Sequence, residues 1–124
     1  MAKSKILLID DEPGLLRLMT LMLSAWGQYD VRSVSDATQA LTTAVEFEPD
    51  LVILDWIMPV LSGGDVAKLI RSDPRVSNTP ILVLSAVLLR RDKSNELAGF
   101  PAVAKPIGVH ELVEAIEEQL LQAA

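Results

Sequence analysis

Residues 6–11 read ILLIDD and residues 51–55 read LVILD, so each stretch is a short apolar run that ends in aspartate. Neither run alternates between apolar and polar residues. This continuity is typical of strands that are buried on both faces, as in a parallel sheet. Three further runs predict strands, of which the first is weak enough to suit an outer strand: residues 29–34, 81–84 and 102–104.

The segments between the strands show the apolar periodicity of helices. Residues 88–97 are the exception, because they have little apolar face, and we expect a short, poorly anchored helix there. Strands that alternate with helices predict an α/β fold, namely a (βα)5 doubly wound sheet of five parallel strands, with residues 1–124 as one domain. Four apolar stripes have helical spacing: Leu15, Leu18, Met19, Met22 and Trp26; Ala37, Ala40, Leu41, Ala44 and Val45; Val66, Leu69 and Ile70; and Leu112, Val113, Ile116, Leu120 and Leu121.

Composition restricts the function. The 124 residues carry a net charge of −6, which argues against non-specific binding to nucleic acid, since such binding needs basic residues to neutralise phosphates. The absence of cysteine excludes disulfides, thiolate metal sites and thiol catalysis. No apolar stretch reaches the ~20 residues that span a bilayer, so we expect a cytoplasmic protein with no membrane partner. The length suits one domain, so we expect no output domain within these residues.

Polar side chains follow four of the predicted strands, namely Asp10-Asp11, Asp55, Ser85 and Lys105. Each alone has a simpler explanation as a helix cap, turn residue or surface charge, but a parallel sheet brings all four strand ends to one edge. Carboxylates ~4 Å apart repel by ~4 kcal/mol at an effective dielectric near 20, and Lys105 supplies only one positive charge. An all-oxygen set without His or Cys therefore predicts a hard divalent cation such as Mg²⁺ and phosphoryl chemistry.

These residues resemble the receiver family of bacterial response regulators over nearly the whole chain. The resemblance implies a flavodoxin-like sheet with strand order 2-1-3-4-5. It also implies that the chain is not an enzyme but a signalling phosphoacceptor that assists its own phosphorylation and dephosphorylation. Such a protein takes a phosphoryl group from a histidine kinase or histidine phosphotransfer protein and then acts on a downstream protein target. The matching elements are Asp10-Asp11, Asp55 with Met58-Pro59 and Gly63, Ser85-Ala86, and Lys105-Pro106.

The resemblance implies a role for each matching residue. Asp55 would be the nucleophile that becomes an aspartyl phosphate. Asp11, Asp55 and the backbone carbonyl of Ile57 would hold Mg²⁺, and Asp10 would act mainly through a bound water. The other roles concern the phosphoryl group and the rim of the site: Lys105 and Ser85 would contact phosphoryl oxygens, Ala86 would leave room for the donor, and Met58 and Pro59 would shape the rim.

Two further expectations concern turnover and docking. In receivers the positions of Ile57 and Val87 flank the path of the attacking water. Both side chains are apolar and cannot accept a proton, so we expect a long-lived phosphorylated state. The first helix has a wider apolar arc than one core stripe needs, and we expect the phosphoryl donor to dock around Gly14, Leu15 and Leu18. An equally simple interpretation is that Leu15 and Leu18 belong to the core.

The chain departs from the family's pattern near its last strand. Many receivers have Tyr or Phe three residues before the lysine, where this chain has Ala102. Phe100 lies two residues away, and we expect its ring on the other face of the strand. The interval from Ser85 to Lys105 is short, which puts the usual output surface in question, and we expect a monomer or weak dimer.

Other functions fit the residues less well. A phosphatase of the haloacid-dehalogenase type needs a second acid two residues after its nucleophile, where this chain has Ile57. Neither the GxxxxGK[ST] nor the GxGxxG phosphate-binding motif occurs. The alternative that stays open is a non-phosphorylated adaptor with a receiver-like fold, although such domains typically lose the acids or the lysine that this chain keeps.

Overall fold

The computed structural model describes residues 3–26, 28–86, 96–105 and 108–123, and every structural statement below concerns those residues. Their strands are β1 (Ser4–Ile9), β2 (Tyr29–Val34), β3 (Leu51–Asp55), β4 (Ile81–Ser85), β5 (Glu96–Leu97) and β6 (Phe100–Ala104). Together they form one sheet with the order β2-β1-β3-β4-β6-β5. The pairings from β2 to β6 are all parallel, which confirms the predicted parallel sheet.

The register of the parallel strands aligns their carboxyl ends. Asp55 is paired with Leu84, and Ser85 is paired with Ala104, the residue before Lys105. Every residue of β3 and β4 is buried, as the unbroken apolar runs predict. Polar residues can therefore enter these strands only where they end, and that places them together at one edge of the sheet.

Within the described ranges, four α-helices cover the two faces of the sheet. One core cluster packs α2 and α3 against the sheet, and the other packs α1 and α4 against the opposite face. Local capping begins two of these segments: the Asp36 side chain accepts from the Thr38 N–H, and Ser62 and Asp65 form a reciprocal capping box. The helices are α1 (Pro13–Trp26), α2 (Ala40–Phe47, preceded by a 3₁₀ turn at Ala37–Gln39), α3 (Gly63–Ser72) and α4 (Val109–Ala123).

The predicted core stripe of α1 is partly wrong. The buried residues are Leu16, Met19 and Leu23, whereas Leu18 is 53% exposed and Trp26 is 42% exposed. Because α1 is apolar almost throughout, its sequence fits several stripes, and only packing on the sheet selects one. Two residues of the later stripes are likewise exposed rather than buried: Leu69 and Leu121.

The helix predicted over residues 88–97 is wrong at its end, and residues 87–95 lie outside the described part of the chain. Glu96 and Leu97 instead form β5, which pairs antiparallel with β6. Ala98 and Gly99, with φ values of 53° and 87°, make the two-residue turn between the strands. A two-residue hairpin of this kind needs positive φ at its centre, and Gly99 supplies one such position without strain.

The expected orientation of Phe100 is also wrong. Side chains two residues apart on a strand point to the same face, so Phe100 shares the face of Ala102. Ala102 belongs to the core beneath α2 and α3, and the partly buried Phe100 packs against that core. None of the helices in the described ranges has both the length and the apolar character needed to cross a membrane.

Candidate phosphoacceptor site

Three carboxylates converge at the carboxyl ends of β1 and β3. One oxygen each from Asp10, Asp11 and Asp55 lies within 4.8 Å of the others. Asp10 and Asp55 are only 2% and 4% exposed, whereas Asp11 is half-buried. Backbone hydrogen bonds hold the two strand ends: the Asp10 N–H donates to Val34 at 3.2 Å, and the Trp56 N–H donates to Leu84 at 3.1 Å.

Lys105 brings a positive charge into this cluster from the end of β6. Its Nζ lies 2.8 Å from Asp10 Oδ2, 3.2 Å from Asp55 Oδ1 and 3.8 Å from Glu12 Oε1. The Lys105 N–H donates to the Ser85 carbonyl at 3.1 Å, which continues the ladder between β6 and β4 beyond the last strand residue. The predicted convergence of the acids and the lysine is therefore present.

The electrostatics of the cluster affect Asp55 and Lys105 in different ways. Burial, with the nearby charge of Asp10, raises the pKa of Asp55 to about 6, although Lys105 acts in the opposite direction. Burial alone would lower the pKa of Lys105, but its hydrogen bond to Asp10 and the charges of Asp10 and Asp55 raise it overall. A protonated lysine therefore faces an acid whose ionised form is costly, and added positive charge would favour that form.

The all-oxygen donor set fits a hard divalent cation. Asp10, Asp11 and Asp55 offer carboxylate oxygens within mutual reach, and among the described residues this is the one group of three or more acidic or metal-binding side chains so arranged. Mg²⁺ is bound in proteins through one or two carboxylates together with water and phosphate oxygens. Asp11, as the half-buried member, leaves one side of the cluster open to such oxygens.

The loop after Asp55 is held close to the phosphoacceptor. The Gly63 N–H donates to the Trp56 carbonyl at 2.9 Å and closes the loop. A Cβ at Gly63 would lie 2.5 Å from the Asp55 carbonyl oxygen, so only glycine fits there. Met58 is buried, whereas Ile57 is 58% exposed at the rim. The loop can therefore present the Ile57 backbone and side chain at the site in a fixed geometry.

The remaining predicted residues have different environments. Ser85 is fully buried at the end of β4, and Ala86 and Pro59 are exposed. On α1, Gly14 and Leu18 are exposed and Leu15 is half-buried. Exposure of Leu18 contradicts the core interpretation for that residue. Val87 lies outside the described residues.

Two further residues near the ends of β1 and β3 lie outside the predicted set of site residues. Glu12 lies within ion-pair distance of Lys105, and its N–H donates to Asp10 Oδ1 at 3.0 Å. Val60 is 89% exposed and has a φ of 68°, which is strained for a β-branched residue. In the sequence, Glu12 directly follows the Asp pair, and an acid in the first turn of a helix is its simpler interpretation, whereas no local pattern indicates Val60.

Comparisons with known proteins give a consistent assignment. The family described as "Response regulator receiver domain" matches residues 6–117. The DNA-binding response regulator MtrA of Mycolicibacterium smegmatis is 34% identical in an alignment 123 residues long, which covers 95% of this chain and 51% of that protein. The DNA-binding regulator RpaA of Synechocystis is 33% identical over 94% of this chain and 48% of its own length. The chain thus spans about half the length of the curated relatives it matches.

Solved structures agree. The receiver domain of sensor histidine kinase PA1611 from Pseudomonas aeruginosa, described with a magnesium ion coordinated in its active-site cleft, is 30% identical with a TM-score of 0.82, and the match covers 96% of this chain and 98% of that one. The chemotaxis protein CheY4 of Vibrio cholerae is 26% identical with a TM-score of 0.83, over 95% and 99% of the two chains. This chain therefore belongs to the response regulator receiver domain family.

Proposed function

We propose that Asp55 accepts a phosphoryl group from a phosphohistidine of a histidine kinase or histidine phosphotransfer protein, in a Mg²⁺-dependent reaction, and that the product alters binding to a downstream protein. The observation that carries this proposal is the buried Asp55 carboxylate, which lies within 4.8 Å of the acids of Asp10 and Asp11 and 3.2 Å from Lys105 Nζ. Such a site combines an oxygen nucleophile with positive charge for the transferring group.

The residues divide the work as follows. An ionised Asp55 oxygen attacks phosphorus, the P–N bond breaks, and the donor imidazole keeps the electron pair. Asp11, Asp55 and the Ile57 carbonyl would hold Mg²⁺, with Asp10 acting through water, and the ion would neutralise acid and phosphoryl charge. Lys105 already contacts Asp55 and can turn to a phosphoryl oxygen.

Two residues at the end of β4 complete the site. The buried Ser85 would donate its hydroxyl to another phosphoryl oxygen, and the small, exposed Ala86 would leave space for the donor. Met58 and Pro59 would shape the rim beside them. Positioning and charge neutralisation carry most of the catalysis in phosphoryl transfer, so residues fixed by a rigid sheet suit this reaction.

The exposed part of α1 is the docking surface that we assign to the phosphoryl donor. α1 begins at Pro13, two residues after Asp11, and its exposed residues Gly14 and Leu18 flank the half-buried Leu15. An exposed leucine beside the reacting group is available to a partner, because the core does not use it.

The phosphorylated state should be long-lived. Ile57 is 58% exposed at the rim, and its side chain cannot accept a proton from an attacking water. We therefore expect no assistance to dephosphorylation from the side chain of Ile57. The apolar side chain of Val87 would likewise give none.

Transcriptional output is the second candidate for the downstream step, because MtrA and RpaA are named as DNA-binding regulators. Since this domain carries a net charge of −6, DNA contacts in such a system would belong to another part of the polypeptide or to a partner. A receiver-like adaptor without phosphorylation has no observation in its favour, because all the acids and the lysine are present.

Acetyl phosphate labelling tests the proposal directly. Intact mass should rise by one phosphoryl group in Mg²⁺ and not in excess chelator, and peptide mapping should place the group on Asp55. Asp55→Asn should remain unlabelled, whereas Asp30→Asn, a change at an exposed acid of β2, should label as the wild type does. Labelling of Asp55→Asn at wild-type stoichiometry would refute the assignment.

A further inference from the structure

Two aromatic rings connect the phosphoacceptor loop to the outer part of the sheet. Trp56 directly follows Asp55, and its ring centroid lies 6.4 Å from that of Phe100, with an interplanar angle of 52°. This separation is within the 4.5–7 Å range of interacting aromatic pairs. Phe100 begins β6, the strand that delivers Lys105 to the acids, so both ends of β6 contact the phosphoacceptor region.

The Trp56 side of the pair is held by the loop and by α3. The Trp56 N–H donates to Leu84, and its carbonyl accepts from Gly63 at 2.9 Å. The indole lies against Gly64, where an added Cβ would be 3.5 Å from a ring carbon. Because the backbone and the ring of Trp56 are both restrained, the position of the ring is linked to the conformation of the adjacent peptide groups.

The Phe100 side is held independently of Trp56. The Arg71 guanidinium lies 5.6 Å from the Phe100 ring centroid, and the same side chain donates to the carbonyls of Ser77 and Thr79 at 3.1 and 2.7 Å. The pairing of Leu97 with Phe100 in the hairpin of β5 and β6 adds a second restraint. The ring of Phe100 is therefore held in place by contacts other than Trp56, and the indole packs against it.

The small side chain of Ala102 leaves room in this region for the ring of Trp56, which follows β3. It is 2% exposed and lies in the same core cluster against which Trp56 and Phe100 pack. A large side chain at residue 102 would compete for that space. With alanine there, the aromatic volume comes instead from the residue covalently attached to Asp55 and from Phe100.

We propose that Phe100 is a positioning residue for phosphoryl transfer to Asp55, and that it acts through the ring of Trp56. Trp56 stands between Asp55 and Ile57, so fixing its ring fixes the peptide groups that aim the Asp55 carboxylate and the Ile57 carbonyl. Loss of the Phe100 ring lets the indole shift and lowers the fraction of molecules with both groups correctly aimed. This inference rests on the proposed phosphoacceptor role of Asp55.

The test uses the full chain with Trp26→Phe, so that Trp56 is the single fluorescent indole. Phe100→Leu keeps an apolar side chain and removes the ring, and Phe100→Tyr keeps the ring. The matched control is Phe47→Leu, because Phe47 lies in the same core cluster and stacks under Arg32 at 4.6 Å. Phe100→Met replaces the leucine variant should that variant not fold.

In Phe100→Leu we expect acrylamide to quench Trp56 more strongly in the metal-free protein, and labelling by acetyl phosphate to slow by about 3- to 10-fold, the range of an aromatic pair's contribution. Phe100→Tyr should restore both values. Phe47→Leu should lower the melting temperature but leave quenching and labelling rate within about twofold.

Each contrary outcome has a separate meaning. An unchanged labelling rate in Phe100→Leu, with normal labelling of the parent, refutes the inference and leaves the proposed function standing. Equal slowing in Phe47→Leu also refutes it, because general destabilisation then accounts for the effect. Absence of labelling in the parent protein refutes the proposed function, and this inference with it.

Discussion

Replacement of Lys105 by methionine keeps most of the apolar stem and removes the charge. In the metal-free protein this takes away the ammonium that lies 2.8 Å from Asp10 and 3.2 Å from Asp55. Both carboxylates are more than nine-tenths buried. We expect the free energy of unfolding to fall by about 2–4 kcal/mol at pH 7, because removal of one partner from a buried ion pair leaves charge uncompensated.

Two limits set this magnitude. Unit charges about 3 Å apart attract by roughly 5 kcal/mol at an effective dielectric near 20, and losing one member of a buried pair costs about 3–5 kcal/mol. Proton uptake sets the upper limit. The pKa of Asp55 is already about 6, so protonating this carboxyl at pH 7 costs only about 1.4 kcal/mol. Once the loss of Lys105 destabilises the ionised form by more than this, Asp55 becomes protonated and the loss of stability at this carboxyl stops growing. Asp10, at the shorter distance, accounts for the larger share.

Urea unfolding followed by circular dichroism measures the effect in chelator at pH 7 and pH 5. The loss should shrink at pH 5, where less work is needed to protonate the acids. Saturating Mg²⁺ should also reduce it, so the variant should bind Mg²⁺ at least as tightly as the wild type while accepting phosphoryl groups poorly. Lys68→Met, at an exposed lysine of α3, is the control and should change stability by less than about 0.5 kcal/mol.

Two results would contradict this reasoning. If Lys105→Met were as stable as the wild type at pH 7 in chelator, the ion pairs of Lys105 with Asp10 and Asp55 would contribute no net stability. Weaker Mg²⁺ binding in the variant would mean that Lys105 supports the metal site rather than competing with it.

Three further predictions concern Asp55, Ile57 and α1. The pKa of Asp55 is raised to about 6, so protonation of Asp55 stabilises the folded state below pH ~4, and this stabilisation is lost by about pH 6. Urea titrations should therefore find metal-free Asp55→Asn more stable than the wild type at pH 7 and not at pH 4. The reverse order would exclude the raised pKa. Ile57→Asn should speed loss of the Asp55 phosphate by up to ~10²-fold, the size of general-base assistance. A decay assay at unchanged Mg²⁺ affinity measures this, and equal decay would mean that Ile57 does not control the lifetime of the phosphate. Leu18→Ala should lower the free energy of unfolding by less than about 1 kcal/mol, whereas Leu16→Ala, at a buried position, should lower it by about 2–5 kcal/mol. Leu18→Ala should slow phosphoryl transfer from a histidine kinase that labels the wild type, and it should leave labelling by acetyl phosphate unchanged. Equal transfer would leave Leu18 without a docking role.

The site was more predictable than the helices that surround it. Asp10, Asp11, Asp55 and Lys105 are separated by up to 95 residues in sequence, yet each lies at the end of a strand or within two residues of it, and parallel strands bring such positions together. The burial of α1 was not predictable in the same way, because an almost wholly apolar helix has no contrast between its faces. Local pattern is informative where polar and apolar residues differ sharply, and it is ambiguous where they do not.

The sequence by itself determined the apolar strands, their alternation with helices, and the polar residues at the strand ends, because these depend on residue type and local period. Only the tertiary structure decided three other features: the shorter distance from Lys105 to Asp10 than to Asp55, the raised pKa of Asp55, and the contact between Trp56 and Phe100. Each depends on distances of a few ångströms between segments far apart in the chain, and on how much water the packing excludes. Charge interactions and ring contacts vary steeply over such distances, so no local pattern contains them.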